Sequence, residues 1–226
     1  MECREIPWAG LELDRGEIYR TMGSSRYVPD REMQARIERV IAEAGRVCRA
    51  RFGYEVLPAG MPGPRAISAG GAGLATGSVI TPCLVGAEYY ALFVATAGVE
   101  FDAWLHGLQV SGDLLDQFIA DAVGSEIAEA AARQMAGLLG REAAVRGMRI
   151  SNSYSPGYCG WPVRDQRALF GLLPPRPCGV DLNASCLMSP VKSVSGVVAI
   201  GRRVEKKPYG CAACGKKDCY KKRVST

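Results

Sequence analysis

From Ser111, a candidate N-cap, to about Arg141 the sequence reads as one long helix, with Leu114, Leu115, Phe118, Ile119, Val123, Ile127, Met135, Leu138 and Leu139 as its apolar positions. Any fold open to this chain has to pack that segment. Gly124-Ser125 lies inside it, and a glycine there costs about 1 kcal/mol relative to alanine. Close packing against a neighbouring element is the expected compensation, and room for a ligand is the second reading.

The other elements surround this helix in irregular order. A helix is expected over about 30–48, started by Pro29 and Asp30, with Met33, Ile37, Val40, Ile41, Ala44 and Val47 on one face. Leu11 to Met22 reads as a short strand running into a short helix at Glu17–Met22. Residues 58–78 are dense in Gly and Pro, which suggests turns linking short strands. Gly71-Ala-Gly73 is not a dinucleotide loop, because the last glycine of that fingerprint is absent and no amphipathic helix follows. Tyr89 to Thr96 has the length and composition of a buried strand. A strand at about 147–151, a loop at 155–162, a helix at about 165–173 and strands near 181–187 and 194–200 complete the list. No regular βαβ rhythm emerges, so the expected fold class is α+β: a largely antiparallel sheet flanked by helices, with a short Cys-rich C-terminal tail.

The composition is that of a globular chain: 226 residues, 48% hydrophobic, 23% charged and 8% aromatic. This excludes a disordered chain, a collagen and a coiled-coil rod, and suits one large domain or one domain with a small appendage. Residues 1–202 are expected to form the domain and 203–226 a basic tail. The net charge of +5 is unevenly placed. Residues 202–226 hold nine Lys or Arg against Glu205 and Asp218, while the other 201 residues carry 19 basic and 21 acidic side chains. A net-negative body is no general nucleic-acid binder, so any electrostatic partner belongs to the tail. The opening Met-Glu-Cys-Arg-Glu is no secretory or transit signal, and the longest apolar stretch, Tyr89 to Val99, is about half the ~20 residues needed to cross a bilayer. A cytoplasmic protein with no membrane partner is expected.

Tyr154-Ser-Pro-Gly-Tyr-Cys-Gly-Trp-Pro162 is the most informative loop. Its glycines allow close backbone approach to a ligand, its prolines restrict its freedom, and Tyr158 and Trp161 offer flat faces to a planar or cationic group. Composition alone describes a small-molecule cradle equally with an aromatic-rich turn capping the core.

Four motifs occur in one order along the chain: Leu13-Asp14 followed by Glu17-Ile-Tyr-Arg20, Asp121-Ala-Val-Gly-Ser-Glu-Ile-Ala-Glu-Ala130, Arg149-Ile-Ser to Tyr158, and Leu182-Asn-Ala-Ser-Cys-Leu-Met-Ser-Pro-Val-Lys-Ser-Val-Ser-Gly196. Together they resemble the activation domain of cobalamin-dependent methionine synthase in its free-standing form, over roughly residues 10–202. The resemblance implies an accessory component of a methyltransferase that restores a partner whose cobalamin has lost an electron. It would present S-adenosylmethionine so that the reduced cobalt is methylated at once. Each 100 mV of unfavourable one-electron potential costs about 2.3 kcal/mol, and an irreversible methyl transfer draws such a reduction forward. The implied partners are a corrinoid-binding methionine synthase or methyltransferase, which carries the cobalamin, and an electron-donor protein.

Carried over residue by residue, the resemblance places Asp14 and Glu129 at the S-adenosylmethionine site and matches Pro156, Gly157 and Tyr158 to the family's loop. At Ser153 the methionine synthase pattern has an arginine that clamps the ligand carboxylate, a charge serine cannot supply. Arg149, four residues earlier, is the substitute the sequence offers. The bland readings are an N-cap for Asp14 and a solvated helix face for Glu129.

Cys211-Ala-Ala-Cys214-Gly-Lys-Lys-Asp-Cys219 stands in a lysine-rich tail where packing does not explain it. The spacing suits a metal, as an iron–sulfur cluster or zinc, with a metal-free redox pair as the other reading, and the lysines would offset thiolate charge. Four ligands are normal, and Cys159, Cys178, Cys186, a second chain or an open position could complete the set. An iron–sulfur centre would also suit a rival reading, a metal-cluster electron-transfer activator of another corrinoid-dependent methyltransferase that uses no S-adenosylmethionine. A nucleic-acid module on a zinc knuckle is disfavoured by the body's charge. His106, the only histidine, reads as a core-edge residue of a helix.

Overall fold

A computed structural model describes residues 1–23, 27–111 and 113–207. The strands are β1 (Cys3–Glu5), β2 (Arg51–Gly63), β3 (Ala66–Ala69), β4 (Ala72–Leu74), β5 (Tyr89–Thr96), β6 (Arg149–Ile150), β7 (Asp181–Leu182), β8 (Met188–Ser189) and β9 (Ser193–Gly201). The helices are α1 (Arg15–Met22), α2 (Arg31–Val47), α3 (Gly77–Ile80), α4 (Val99–Ser111), α5 (Leu114–Val145) and α6 (Gln166–Phe170).

The main sheet runs β4-β3-β2-β5-β9-β6, with β1 paired to the start of β2, and every pairing is antiparallel. This is the α+β class that the irregular element order implies. At the centre, β5 buries both faces, which is why it reads as a continuous apolar run. Ala91, Phe93 and Ala95 face one core, with α1, α2, α4 and α5; Tyr90, Leu92 and Val94 face a second core containing Ile67, Leu74, Ile80, Trp161 and Leu169.

The long helix α5 crosses the first core, burying Ile119, Val123, Ile127, Ala131, Met135 and Leu139. Gly124 is explained by packing: a Cβ there would collide with the Phe101 ring and stand 2.8 Å from Lys192 Cγ. α2 is capped by Asp30, whose side chain accepts from Met33 N–H, and it buries Ile37, Val40, Ile41 and Ala44 as its periodicity requires. Asp116 of α5 locks the two helices together, taking Arg36 Nε at 2.6 Å and Arg39 Nη2 at 2.9 Å.

Several boundaries differ from expectation. The long helix read from Ser111 is α5, but it starts later than expected: Ser111 ends α4, and α5 is capped by Asp113, which accepts from Asp116 N–H. The Gly/Pro-dense stretch begins inside β2, a long strand that passes Pro58 and leaves β5 to pair with β3. No strand runs from Leu11 into α1; β1 lies earlier, and a 3-10 turn at Trp8–Gly10 stands between the two. The helix expected over 165–173 is a 3-10 turn at Val163–Asp165 and the short α6, and the strand expected at 181–187 is a two-stranded hairpin of β7 and β8. Cys3 and Cys178 form a disulfide, so Cys178 is not available as a metal ligand. Among the described residues no helix is long and apolar enough to cross a membrane.

Candidate ligand cavity at the open edge of the sheet

β6 covers only the end of β9, pairing Arg149 with Gly201 and Ile150 with Ile200. Beyond it Ser151 N–H donates to Ala199 O at 3.0 Å, and Tyr154 and Val197 exchange two backbone bonds. The chain then turns away. Backbone groups on one edge of a strand alternate, so Ser195, two residues past Val197, turns its N–H and C=O to an edge that no described strand covers. Its hydroxyl is buried and has no partner. A buried polar atom of that kind calls for a ligand or water. Gly196 sets how closely the Tyr154 segment approaches, because a Cβ there would collide with the Tyr154 carbonyl oxygen.

A cavity of about 460 Å³ opens at this edge. α1 contributes Glu17 and Arg20, α5 contributes Ser125, Glu126, Glu129 and Arg133, and the turn after Tyr154 contributes Ser155, Pro156 and Tyr158. Gln166 and the run from Met188 to Ser195 close the remainder. The turn is held by Gly157 N–H to Trp161 O at 2.8 Å and Trp161 N–H to Tyr158 O at 2.9 Å, with Gly157 at φ +94°. Only glycine adopts that geometry cheaply.

The wall is charged but largely paired. Glu126, 3% exposed, accepts the Asp14 backbone N–H at 2.9 Å and the Arg133 guanidinium on one oxygen. Burial raises its pKa, against the opposing pull of Arg133 and the Asp14 N–H. Lys192, 8% exposed, holds Asp121 at 2.7 Å and Ser125 Oγ at 3.1 Å. Arg20 pairs with Glu17 at 2.7 Å. Three acids and three cations thus surround one polar cavity, an arrangement matched to a small molecule bearing charges of both signs. Tyr158, Val163, Leu187 and Val191 are all more than a third exposed on or beside its walls.

Of the residues singled out in the sequence, the structure brings Glu129, Pro156 and Tyr158 to this cavity, with Gly157 between the latter two. Asp14 stands one hydrogen bond behind the wall: its side chain caps α1 through Gly16 and Glu17 N–H, and its backbone reaches Glu126. Arg149 lies exposed on β6, and neither it nor Ser153 lines the cavity. Trp161 is a core residue, 1% exposed with Nε1 on Asp165, so Tyr158 alone offers the expected aromatic face. His106 is exposed on α4 against Gln109. Glu126, Lys192 and Ser195 were not anticipated. Glu126 lies one helical turn before Glu129, a spacing that puts both on one face. Cys211, Cys214 and Cys219 lie outside the described residues, among which no cluster of His, Cys, Asp or Glu could hold a metal.

The family profile described as "Vitamin B12 dependent methionine synthase, activation domain" matches residues 72–224. No curated protein sequence matches the chain. Among solved structures, the MetH reactivation domain bound to AdoHcy superposes with a TM-score of 0.68 at 19% identity, covering 92% of this chain and 80% of that one. The likeness of fold therefore extends over nearly the whole molecule.

Proposed function

The chain belongs to the vitamin B12-dependent methionine synthase activation domain family, and from that premise we propose that it holds S-adenosylmethionine in the cavity beside β9 and presents its methyl group to a partner's reduced corrinoid. The carrying observation is the cavity itself, with the buried, partnerless Ser195 hydroxyl at the uncovered strand edge. The solved relative of this fold holds AdoHcy, the product that methyl transfer from S-adenosylmethionine leaves.

The residues present suit the ligand. Its sulfonium and ammonium are cations, which Glu126, Glu129 and Glu17 can face, and its carboxylate is an anion, for which Lys192, Arg133 and Arg20 stand at the wall. A cation from β9's own approach removes the need for an arginine at Ser153. Tyr158 can stack on the adenine. The Ser195 hydroxyl and outward backbone groups can take the ligand's polar edge.

In this account the protein's work is binding and orientation. α5 and the Pro156–Tyr158 turn fix the donor with its methyl toward the cavity mouth. The exposed apolar residues beside that mouth would cover a flat macrocycle and exclude water. The partner's cobalamin supplies the nucleophile that accepts the methyl group, and one electron from a donor protein first restores its reduced state. No side chain of this chain has to act as an acid or base. We place the protein in the cytoplasm with a corrinoid-bearing methionine synthase or related methyltransferase, and read Cys211, Cys214 and Cys219 as thiolate ligands of a metal centre, iron–sulfur or zinc, in a tail set off from residue 203. The test is single-turnover methylation of the reduced corrinoid partner with labelled S-adenosylmethionine. Transfer that depends on this chain and is lost in Tyr158→Ala supports the reading, and transfer indifferent to the chain refutes it.

A further inference from the structure

The three cations on the cavity wall are not equivalent. The Arg133 side chain is half exposed and donates from Nη2 to Glu126 Oε1 and to the Glu12 carbonyl oxygen. Solvent screens a guanidinium so placed. Arg20, a third exposed, grips both oxygens of Glu17, from Nε at 3.2 Å and from Nη2 at 2.7 Å, and has Asp14 Oδ2 at 3.7 Å besides. Two carboxylates already meet its charge.

Lys192 differs in burial and in the sense of its ion pair. Its side chain is 9% exposed, whereas that of its partner Asp121 is 56% exposed. Lys192 and Ser125 line the cavity and Asp121 does not. The pair is therefore a dipole with its positive end at the cavity wall and its negative end in solvent, where water weakens the compensation. An ammonium has three N–H donors. One goes to Asp121 Oδ1 at 2.7 Å and one to Ser125 Oγ at 3.1 Å, and among the described residues no other acceptor takes the third.

The sequence builds this arrangement into α5. Asp121 and Ser125 stand one helical turn apart and clip the ammonium between them. Gly124 leaves the notch through which the lysine stem passes, since a Cβ there would stand 2.8 Å from Lys192 Cγ. The Ser125 hydroxyl donates to the Asp121 carbonyl oxygen at 3.1 Å, which leaves its lone pairs for the ammonium. The Lys192 carbonyl accepts from Ala97 N–H at 2.8 Å, and Val191 N–H donates to Asp102 Oδ1 at 3.2 Å. Backbone and head group are thus fixed before any ligand arrives. Glu129 lines the same cavity one turn beyond Ser125. A cation and an anion so spaced match the carboxylate and ammonium that an α-amino acid carries on one carbon.

We propose that Lys192 determines the specificity of the cavity: its ammonium takes the ligand's carboxylate, so that a sulfonium nucleoside bearing a whole amino acid is selected over one lacking the carboxylate. This rests on S-adenosylmethionine occupying the cavity, and adds that its amino-acid end lies between α5 and the start of β9.

Calorimetric titration of the full chain with S-adenosylmethionine and with its decarboxylated form, which keeps the sulfonium and the amine, isolates the carboxylate. The parent chain should bind S-adenosylmethionine about tenfold tighter or more. Lys192→Met, which keeps an unbranched stem without the charge, should abolish that preference without weakening the decarboxylated ligand, and Lys192→Arg should restore part of it. Arg20→Met and Arg133→Met should retain it. Equal binding of both ligands by the parent chain overturns the proposal, whether or not the variants fold. So does an equal loss of both ligands in Lys192→Met, or a preference abolished by Arg20→Met or Arg133→Met instead. Each of these results leaves the cavity as the S-adenosylmethionine site. Binding of neither ligand by the parent chain is the separate result that ends the cavity reading, and this assignment with it.

Discussion

The backbone N–H of Asp14 donates to Glu126 Oε1 at 2.9 Å, across 112 positions of sequence. The N-cap of α1 and the inner wall of the cavity are thus one unit: the carboxylate that closes the pocket also fixes where the first helix starts.

Glu126→Gln separates these roles. The amide oxygen can still accept from Asp14, while Arg133, half exposed, loses a counter-ion that is worth about 1 kcal/mol or less. Stability in urea should therefore change little. Affinity for S-adenosylmethionine should fall at least tenfold, about 1.4 kcal/mol. Glu126→Ala also strands the Asp14 N–H and should cost about 1–3 kcal/mol of stability.

The same carboxylate gives a pH signature. Burial holds the Glu126 pKa above the 4.5 of an ordinary glutamate. The fold thus keeps this proton more tightly than the unfolded chain does, so the group's contribution to stability is full below 4.5 and is lost as pH rises through the folded value. Binding of a cationic ligand runs the opposite way, since it needs the ionised form. Calorimetric titrations from neutral to acid pH should show affinity falling before the ordinary glutamate range is reached, with Glu126→Gln flat across that interval.

Gly196→Ala should damage the cavity from the sheet side. Its Cβ would meet the Tyr154 carbonyl oxygen and lie 2.9 Å from Phe93 Cε1, both in packed surroundings. Overpacking of this kind costs about 1–3 kcal/mol, and relief requires the Tyr154 segment to move. A lowered melting temperature and weakened ligand binding are expected together. Gly63→Ala, where an added Cβ meets nothing within 4 Å, should stay within about 0.5 kcal/mol of the parent.

Asp116→Ala is the converse case. It removes the shared partner of Arg36 and Arg39 between α2 and α5. The arginines can turn to water, so the cost should be about 1–3 kcal/mol in denaturant unfolding. The triad does not line the cavity, and affinity for S-adenosylmethionine should be unchanged at a temperature where the variant is folded.

The elements legible in the sequence were those whose burial follows one period. α2 shows a single apolar stripe above Asp30, and β5 is buried on both faces, so each could be read without its neighbours. β2 could not, because its glycines and prolines mimic turns and its pairing with β3 is set by a strand that follows it. The start of α5 was displaced by two residues because Ser111 and Asp113 are both N-cap residue types standing close together. At the cavity, Glu129, Pro156 and Tyr158 came from resemblance to a family. Glu126 and Lys192 did not, because each owes its position to a distant partner: the Asp14 backbone for one, the Asp121 carboxylate of α5 for the other. Proximity in sequence points to Arg149, but β6 carries it to the exposed sheet edge, away from the cavity.

The most direct measurement is equilibrium binding of S-adenosylmethionine to the purified full chain, by dialysis or calorimetry, in competition with S-adenosylhomocysteine. One ligand per chain, saturating below about 1 mM, competed by the product and weakened by Tyr158→Ala and Glu126→Gln, is the predicted result. No saturable uptake at about 1 mM, where binding would be worth only about 4 kcal/mol, would contradict the assignment of the cavity.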